Sequence, residues 1–332
     1  MHLRVPRQRC EEIRNKLISE NALDRTKKIQ SEDGYIFIPL SKKVSIPGTE
    51  VVEIKAEPQE DRKKSLIDSL KGKLSDAEMA YVPRSFDLIG DVAILEIPDE
   101  IFDKRKIIGE ALLETFKNIK VVANKKTSVG TEYRTREVEV IAGENRTETL
   151  HREHGCVYKL DVTTAYFSPR LGSERMRVAE QVRDGERVLV MFAGIGPYPV
   201  LIAKKRKPSE VVAIELNPEG VKYMLENIKQ NKVKVKAVLG DAGEEVKKLG
   251  KFDRIIMPLP KDAGNFLAQT LPALNKGGVI NYYTFTHTTD EAAEEARKIC
   301  EGLGYKIQVL ASVECGTYSP CLSRMCVDFQ IN

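Results

Sequence analysis

The chain has 332 residues, of which 42% are hydrophobic and 31% charged, with a formal net charge of +4. That length exceeds one ordinary hydrophobic core and predicts two or three domains. No apolar run approaches the ~20 residues of a membrane-spanning helix, the start lacks the apolar segment of a secretory signal, and the mild basicity alone selects no partner; a cytoplasmic protein without membrane association is expected.

In chain order, residues 7–20 read as an amphipathic helix with Ile13, Leu17 and Ile18 apolar, and 35–40 and 50–54 as strands. The stretch 55–73 is charged and poor in aromatics, which is linker composition. The predicted boundaries are a small α+β domain at 1–58, a charged linker at 59–73, a mixed α/β domain at 74–155 and a larger domain at 156–332. In the second domain, 86–97 reads as two strands around a Gly90-Asp91 turn, 104–119 as a helix, and 121–122 and 138–140 as strands; 157–162, just past its boundary, reads as another strand.

From residue 187 the rhythm changes. Apolar strands at 187–192, 211–216, 233–239, 253–257 and 278–285 alternate with helices at 218–228, 263–274 and 289–303. Such alternation predicts a buried, mostly parallel sheet covered by helices. Two closing strands, 305–313 and 324–331, predict an antiparallel edge hairpin.

Six cysteines form no Cys-x-x-Cys pair, and the four histidines add no ligand spacing, so no metal is expected. His151 and His154 could share a helix face. Cys315, Cys321 and Cys326 lie in apolar sequence and read as buried thiols. Basic residues cluster: six lie between Lys117 and Arg136 against one acid, and five arginines lie between Arg170 and Arg187. Charge gathered in this way can track phosphates.

The sharpest local signal is Val188-Leu189-Val190-Met191-Phe192-Ala193-Gly194-Ile195-Gly196-Pro197, an apolar strand running into a Gly-x-Gly turn and a proline-led helix. Glu215 closes the next strand, where a carboxylate can accept both ribose hydroxyls of an adenosine ligand. Asp241, in Leu239-Gly240-Asp241-Ala242, can meet the adenine amine. Pro199 replaces the third glycine of a dinucleotide motif. The pattern points to S-adenosylmethionine and to a Rossmann-type class I methyltransferase domain. Its expected cofactor contacts are Phe192, Ala193, Gly194, Gly196, Glu215, Leu216, Asp241 and Ala242.

Just upstream stands Tyr166-Phe167-Ser168-Pro169-Arg170-Leu171-Gly172-Ser173-Glu174-Arg175. With the Met191–Pro197 stretch, Tyr133-Arg134-Thr135-Arg136-Glu137 and Ala142-Gly143-Glu144-Asn145-Arg146-Thr147, it resembles the archaeal and eukaryotic tRNA (guanine-37 N1)-methyltransferase family. The resemblance runs from about residue 75 to the end, more loosely before that. It implies a tRNA partner, an N-terminal domain that grips the tRNA elbow, and a monomer. It also implies Glu174 as general base for the N1 proton and Arg134 as cationic donor to O6. The chemistry asks for both, because N1 is not nucleophilic until its proton leaves and charge then moves to O6. Arg136, Tyr166, Phe167, Arg170, Pro258 and Pro260 would meet the substrate, and Arg175 the cofactor. Taken alone, Glu174 reads rather as a surface helix partner of Arg170 or Arg177, and Phe167 as core.

Two positions depart from the family pattern. Val190 replaces an aspartate, and Pro258 in Met257-Pro258-Leu259-Pro260-Lys261 replaces an asparagine. Some archaeal members also methylate a ring carbon of the tricyclic 4-demethylwyosine intermediate made from the same guanosine. A pocket without the asparagine would suit that larger base. The alternatives are a class I methyltransferase for another RNA base, or a tRNA-binding protein with a degenerate cofactor site.

Overall fold

A computed structural model describes residues 1–24, 26–32, 34–57, 65–126, 137–319 and 321–331. The chain divides into two units, Met1–Asp68 and Ser69–Asn332.

The first unit is a four-stranded antiparallel sheet with one helix. Strand β1 (His2–Pro6) pairs with β3 (Tyr35–Pro39) and β4 (Glu50–Val52), and β2 (Gln30–Glu32) pairs with β3. Helix α1 (Cys10–Ser19) follows a 3-10 turn at Arg7–Arg9, which trims the predicted helix at its start. Its Ile13 and Leu17 pack on Leu3, Val5 and Ile38. Periodicity missed β1, an inner strand of this sheet.

Helices α2 (Leu66–Leu70) and α3 (Asp76–Met79) precede a second sheet. Its order is β5 (Asp87–Ile89), β6 (Val92–Leu95), β7 (Val121–Lys125), β8 (Val138–Gly143), and α4 (Arg105–Thr115) packs against it. A hairpin of β9 (Glu148–Glu153) and β10 (Cys156–Asp161) follows. His151 lies on β9 and His154 on its turn, so they share no helix face.

Helix α5 (Gly172–Gln181) leads into the large sheet. Strands β11 (Arg187–Val190), β12 (Glu210–Glu215), β13 (Lys236–Leu239) and β14 (Phe252–Met257) are parallel and join β15 (Leu274–Thr286). Strands β16 (Ile307–Ser319) and β17 (Leu322–Ile331) add the antiparallel edge, giving the order β13-β12-β11-β14-β15-β17-β16. The seven-stranded sheet and its hairpin are as expected. Helices α6 (Pro197–Lys205), α7 (Pro218–Asn231), α8 (Ala242–Glu245), α9 (Leu267–Thr270) and α10 (Thr289–Gly302) connect the strands. The predicted helix over 263–274 is instead α9 flanked by two 3-10 turns, because Gly264 and Pro272 interrupt it. Core residues Val188, Val190, Ala213 and Ile256 are fully buried, as a covered parallel sheet requires. Val190 therefore lies inside the sheet. Of the three C-terminal cysteines, Cys326 is buried, Cys315 partly so and Cys321 exposed, because Cys321 lies in the hairpin turn.

Chain order sends β11 to β12 on one side and places β14 on the other. The carboxyl end of β11 is thus a topological switch point, the usual ligand crevice of such sheets.

Candidate functional site

A cavity of about 320 Å³ opens at this switch point, a volume within the range of small-molecule sites. Tyr166, Phe192, Gly194, Glu215, Leu216, Asp241, Ala242 and Pro258 line it, which brings eight of the sequence-predicted residues together.

The glycine turn builds its floor. Gly194 and Gly196 adopt φ of +55° and +85°, and Phe192 is held at +55°, a conformation strained for a bulky side chain. Phe192 meets Phe266 edge-on at 4.9 Å, forming an aromatic wall. A Cβ at Gly196 would approach Met224 Cγ to 2.8 Å. Gly196→Ala is therefore expected to cost at least about 1–2 kcal/mol of stability, read from a urea denaturation midpoint; an unchanged midpoint would contradict it.

Glu215 is the polar centre. Its Oε2 accepts the Gly194 N–H at 2.7 Å and its Oε1 the Asn217 N–H at 2.8 Å. Each oxygen keeps a lone pair for a ligand hydroxyl. Burial pushes its pKa above the ordinary carboxylate value, against the pull of the Asn217, Gly194 and Leu216 N–H groups. Asp241 caps α8 by accepting the Glu244 N–H at 3.0 Å. Ala193 and Gly196 shape the turn through backbone bonds, the first to Ile214 and the second to Ala193.

The buried carboxylate, the glycine turn and the aromatic wall fit an adenosine-bearing cofactor. Asn217, Gly220, Asp262 and Phe266 also line the cavity, and motif reasoning missed them. The Asn217-Pro218 pair, an N-cap followed by a first-turn proline, was a usable signal for the first. Phe266 sat in the segment misread as a helix.

Glu174 sits on α5, yet it is not a surface residue. It is 6% exposed. Arg177 holds it in a two-pronged pair, Nε to Oε2 at 2.7 Å and Nη2 to Oε1 at 2.8 Å. The Tyr283 hydroxyl donates to Oε1 at 2.5 Å. Arg177 also reaches Asp328 at 2.5 Å. Burial opposes the charge on Arg177, and the bonds to Glu174 and Asp328 outweigh that, raising its pKa. Asp328 is pulled below the ordinary value, because Arg177, Gln181 and Asn281 outweigh its burial.

Four predicted contacts lie elsewhere. Arg175 is 2% exposed and fully engaged: it pairs with Glu153 at 2.8 Å and donates to the Ser168 carbonyl at 3.1 Å, so it does not reach the cofactor cavity. Phe167 is core, packed on His151 at 4.9 Å and Tyr158 at 6.1 Å. Pro260 is buried beside a separate depression that Tyr282 and Glu295 line. Arg170 is exposed and pairs with Asp87 at 2.8 Å. Arg134 and Arg136 lie outside the described residues. Among the described residues no cluster could hold a metal ion, and no helix is long and apolar enough to cross a membrane.

Comparison with known proteins accounts for most of the chain. The family description "TRM5/TYW2 methyltransferase domain" matches residues 149–308, "TYW2 N-terminal domain" 66–147, and "tRNA methyltransferase 5 N-terminal domain" 3–47. The chain is 43% identical to the tRNA (guanine(37)-N(1))-methyltransferase Trm5b of Pyrococcus abyssi, over 99% of this chain and 98% of that one. It is 34% identical, over 61% of this chain and 84% of the other, to a Nanoarchaeum equitans protein named tRNA (guanine(37)-N(1))/4-demethylwyosine(37)-methyltransferase Taw22. The crystal structure of the Pyrococcus abyssi Trm5b superposes with a TM-score of 0.76 at 42% identity, covering 100% of this chain and 99% of that one. A complex of aTrm5 with tRNALeu superposes at 0.72 and 34% identity over the whole of both chains.

Proposed function

The chain belongs to the TRM5/TYW2 methyltransferase family, and from that premise we propose that it methylates N1 of guanosine 37 in tRNA with S-adenosylmethionine. The observation that carries the proposal is the cavity at the switch point, where the Glu215 carboxylate stands ready for a ribose and Tyr166 closes the side toward a second cleft. S-adenosylmethionine supplies an electrophilic methyl group when bound. Glu215 would hold the ribose hydroxyls, Phe192 and Leu216 would cover the adenine, and Asp241 would accept from its amine. Tyr166 would stack on the target base after it leaves its neighbours in the loop.

Glu174 is the proposed base. It takes the N1 proton once Arg177 frees one of its oxygens, and Asp328 retains Arg177 during that exchange. Arg134 is the proposed donor to O6. Residues 1–58 are assigned to the tRNA elbow, 59–73 to a charged linker, 74–155 to RNA binding and 156–332 to the chemistry. The test is mass spectrometry of nucleosides from a tRNA transcript treated with the protein and S-adenosylmethionine. Appearance of 1-methylguanosine is expected; its absence, with methyl in another nucleoside, would favour a different RNA base.

Pro258 favours a second activity. It lines the cavity where the family pattern has an amide, and a relative bears a name with both substrates. We propose that the tricyclic intermediate is also accepted. Failure to label tRNA carrying that base would remove this proposal and leave the first intact.

Glu215→Ala should weaken S-adenosylmethionine binding by about 10- to 100-fold, the loss expected for hydrogen bonds to a charged acceptor. Calorimetric titration measures it, and an unchanged Kd would exclude Glu215 from the cofactor site.

A further inference from the structure

The large sheet carries a second cleft, of about 640 Å³, on the face that bears Tyr283. Tyr166 lines both this cleft and the cofactor cavity, so the two adjoin. Tyr283 touches Glu174, and Phe285, two residues further along β15, stands about 7 Å beyond it by the rise of a strand.

Three features mark the cleft. Phe285 pairs with Arg324 across β17, whose guanidinium lies 5.7 Å from the Phe285 ring centre. The Arg324 Nε is buried and, among the described residues, has no hydrogen-bond partner. Tyr318 stacks on Phe285 at 4.3 Å and 35°, yet stays 65% exposed, so its other face is open. A break in the ladder presents Tyr318 this way: Thr317 pairs with Ser323 and Ser319 with Leu322, leaving Tyr318 with no residue opposite. Such bulges re-aim side chains. Lys125 and Arg170 also line the cleft, but Glu96 and Asp87 hold them.

A buried, unsatisfied donor is costly without a ligand. An open aromatic face beside an arginine suits a base and its phosphate. We infer that this cleft holds the nucleotide next to the one methylated, its base on the open face of Tyr318 and its phosphate on Arg324. The inference rests on the tRNA reading above.

The test compares the wild-type chain, Tyr318→Phe and Tyr318→Ala in single-turnover methylation. Each meets intact tRNA and tRNAs with an abasic site on one or the other side of the target guanosine. On intact tRNA, Tyr318→Ala is expected to raise the half-saturating tRNA concentration about tenfold or more, the effect of one lost stack, and Tyr318→Phe to stay within about twofold. On one of the abasic tRNAs the alanine change should cost nothing further. Arg324→Gln should flatten the log–log salt dependence of binding by about one charge. Cofactor affinity should be unchanged in every variant. An equal loss for Tyr318→Ala on all three tRNAs, or none on intact tRNA, overturns the subsite. If the wild-type chain methylates none of them, the tRNA reading itself fails and the subsite falls with it.

Discussion

Glu174→Gln is expected to reduce single-turnover methylation of tRNA by a factor of about 10² or more, as loss of a general base does, while tRNA and cofactor affinities change little. The amide keeps the shape of the carboxylate and can still accept from Arg177 and Tyr283 through its carbonyl. It cannot take the N1 proton. The buried setting sharpens the expectation. Arg177 spans Glu174 and Asp328, so when Glu174 becomes neutral the guanidinium keeps one carboxylate. The cost of an unpaired buried charge is thereby avoided. Rapid-quench kinetics with enzyme in excess measure the step. A rate within about threefold of wild type would remove Glu174 from the chemistry and leave it as a structural partner of Arg177.

The second large effect is on stability. Arg175→Met should destabilise the fold by about 3–5 kcal/mol, the usual cost of removing one member of a buried ion pair. It leaves Glu153 nearly enclosed, with the His151 Nε2 3.8 Å away as its remaining partner among the described residues. Burial works against the Glu153 charge, and Arg175 and His151 outweigh it, bringing the pKa down from 4.5 to about 2. A carboxylate lowered on folding stabilises the native state above its unfolded value, and that contribution fades as pH falls from about 4.5 toward 2. Wild-type stability should therefore drop through this acid window, and the Arg175→Met protein should lose much of that slope. Urea titrations at pH 7 and pH 3 check both claims. A loss below about 1 kcal/mol at pH 7 would mean that the pair contributes little. Because Arg175 also holds the Ser168 carbonyl, the pair fixes the loop from which α5 and Glu174 start.

The large sheet was legible in the sequence because its parallel strands are continuous apolar runs and its glycine turn has few other uses. Residues contributed by that turn and by the ends of β12 and β13 could be named for the same reason. Strand β9 was missed because its pattern is inverted: Thr149 is 4% exposed and Leu150 is 47% exposed. Strand β1 was missed because it is five residues long and holds Arg4 and Pro6. Arg175 was misassigned because its partner Glu153 stands 22 residues away on another element, and pairing across that distance leaves no local trace. Arg177 was noticed only as an alternative partner for Glu174. That it spans two carboxylates depends on Asp328, 151 residues distant.

Strand β16 ends the large sheet and, among the described residues, pairs with β17 alone. A 13-residue outer strand is a ready template for another chain, and proteins that expose one must guard against self-association. Here the ladder shifts register three times, between Val309 and Ala311, Glu314 and Gly316, and Thr317 and Ser319. A foreign strand would find no straight stretch longer than a few residues. The irregularity that frees Tyr318 thus also discourages edge-to-edge aggregation, so straightening β16 to improve its pairing would trade solubility for regularity.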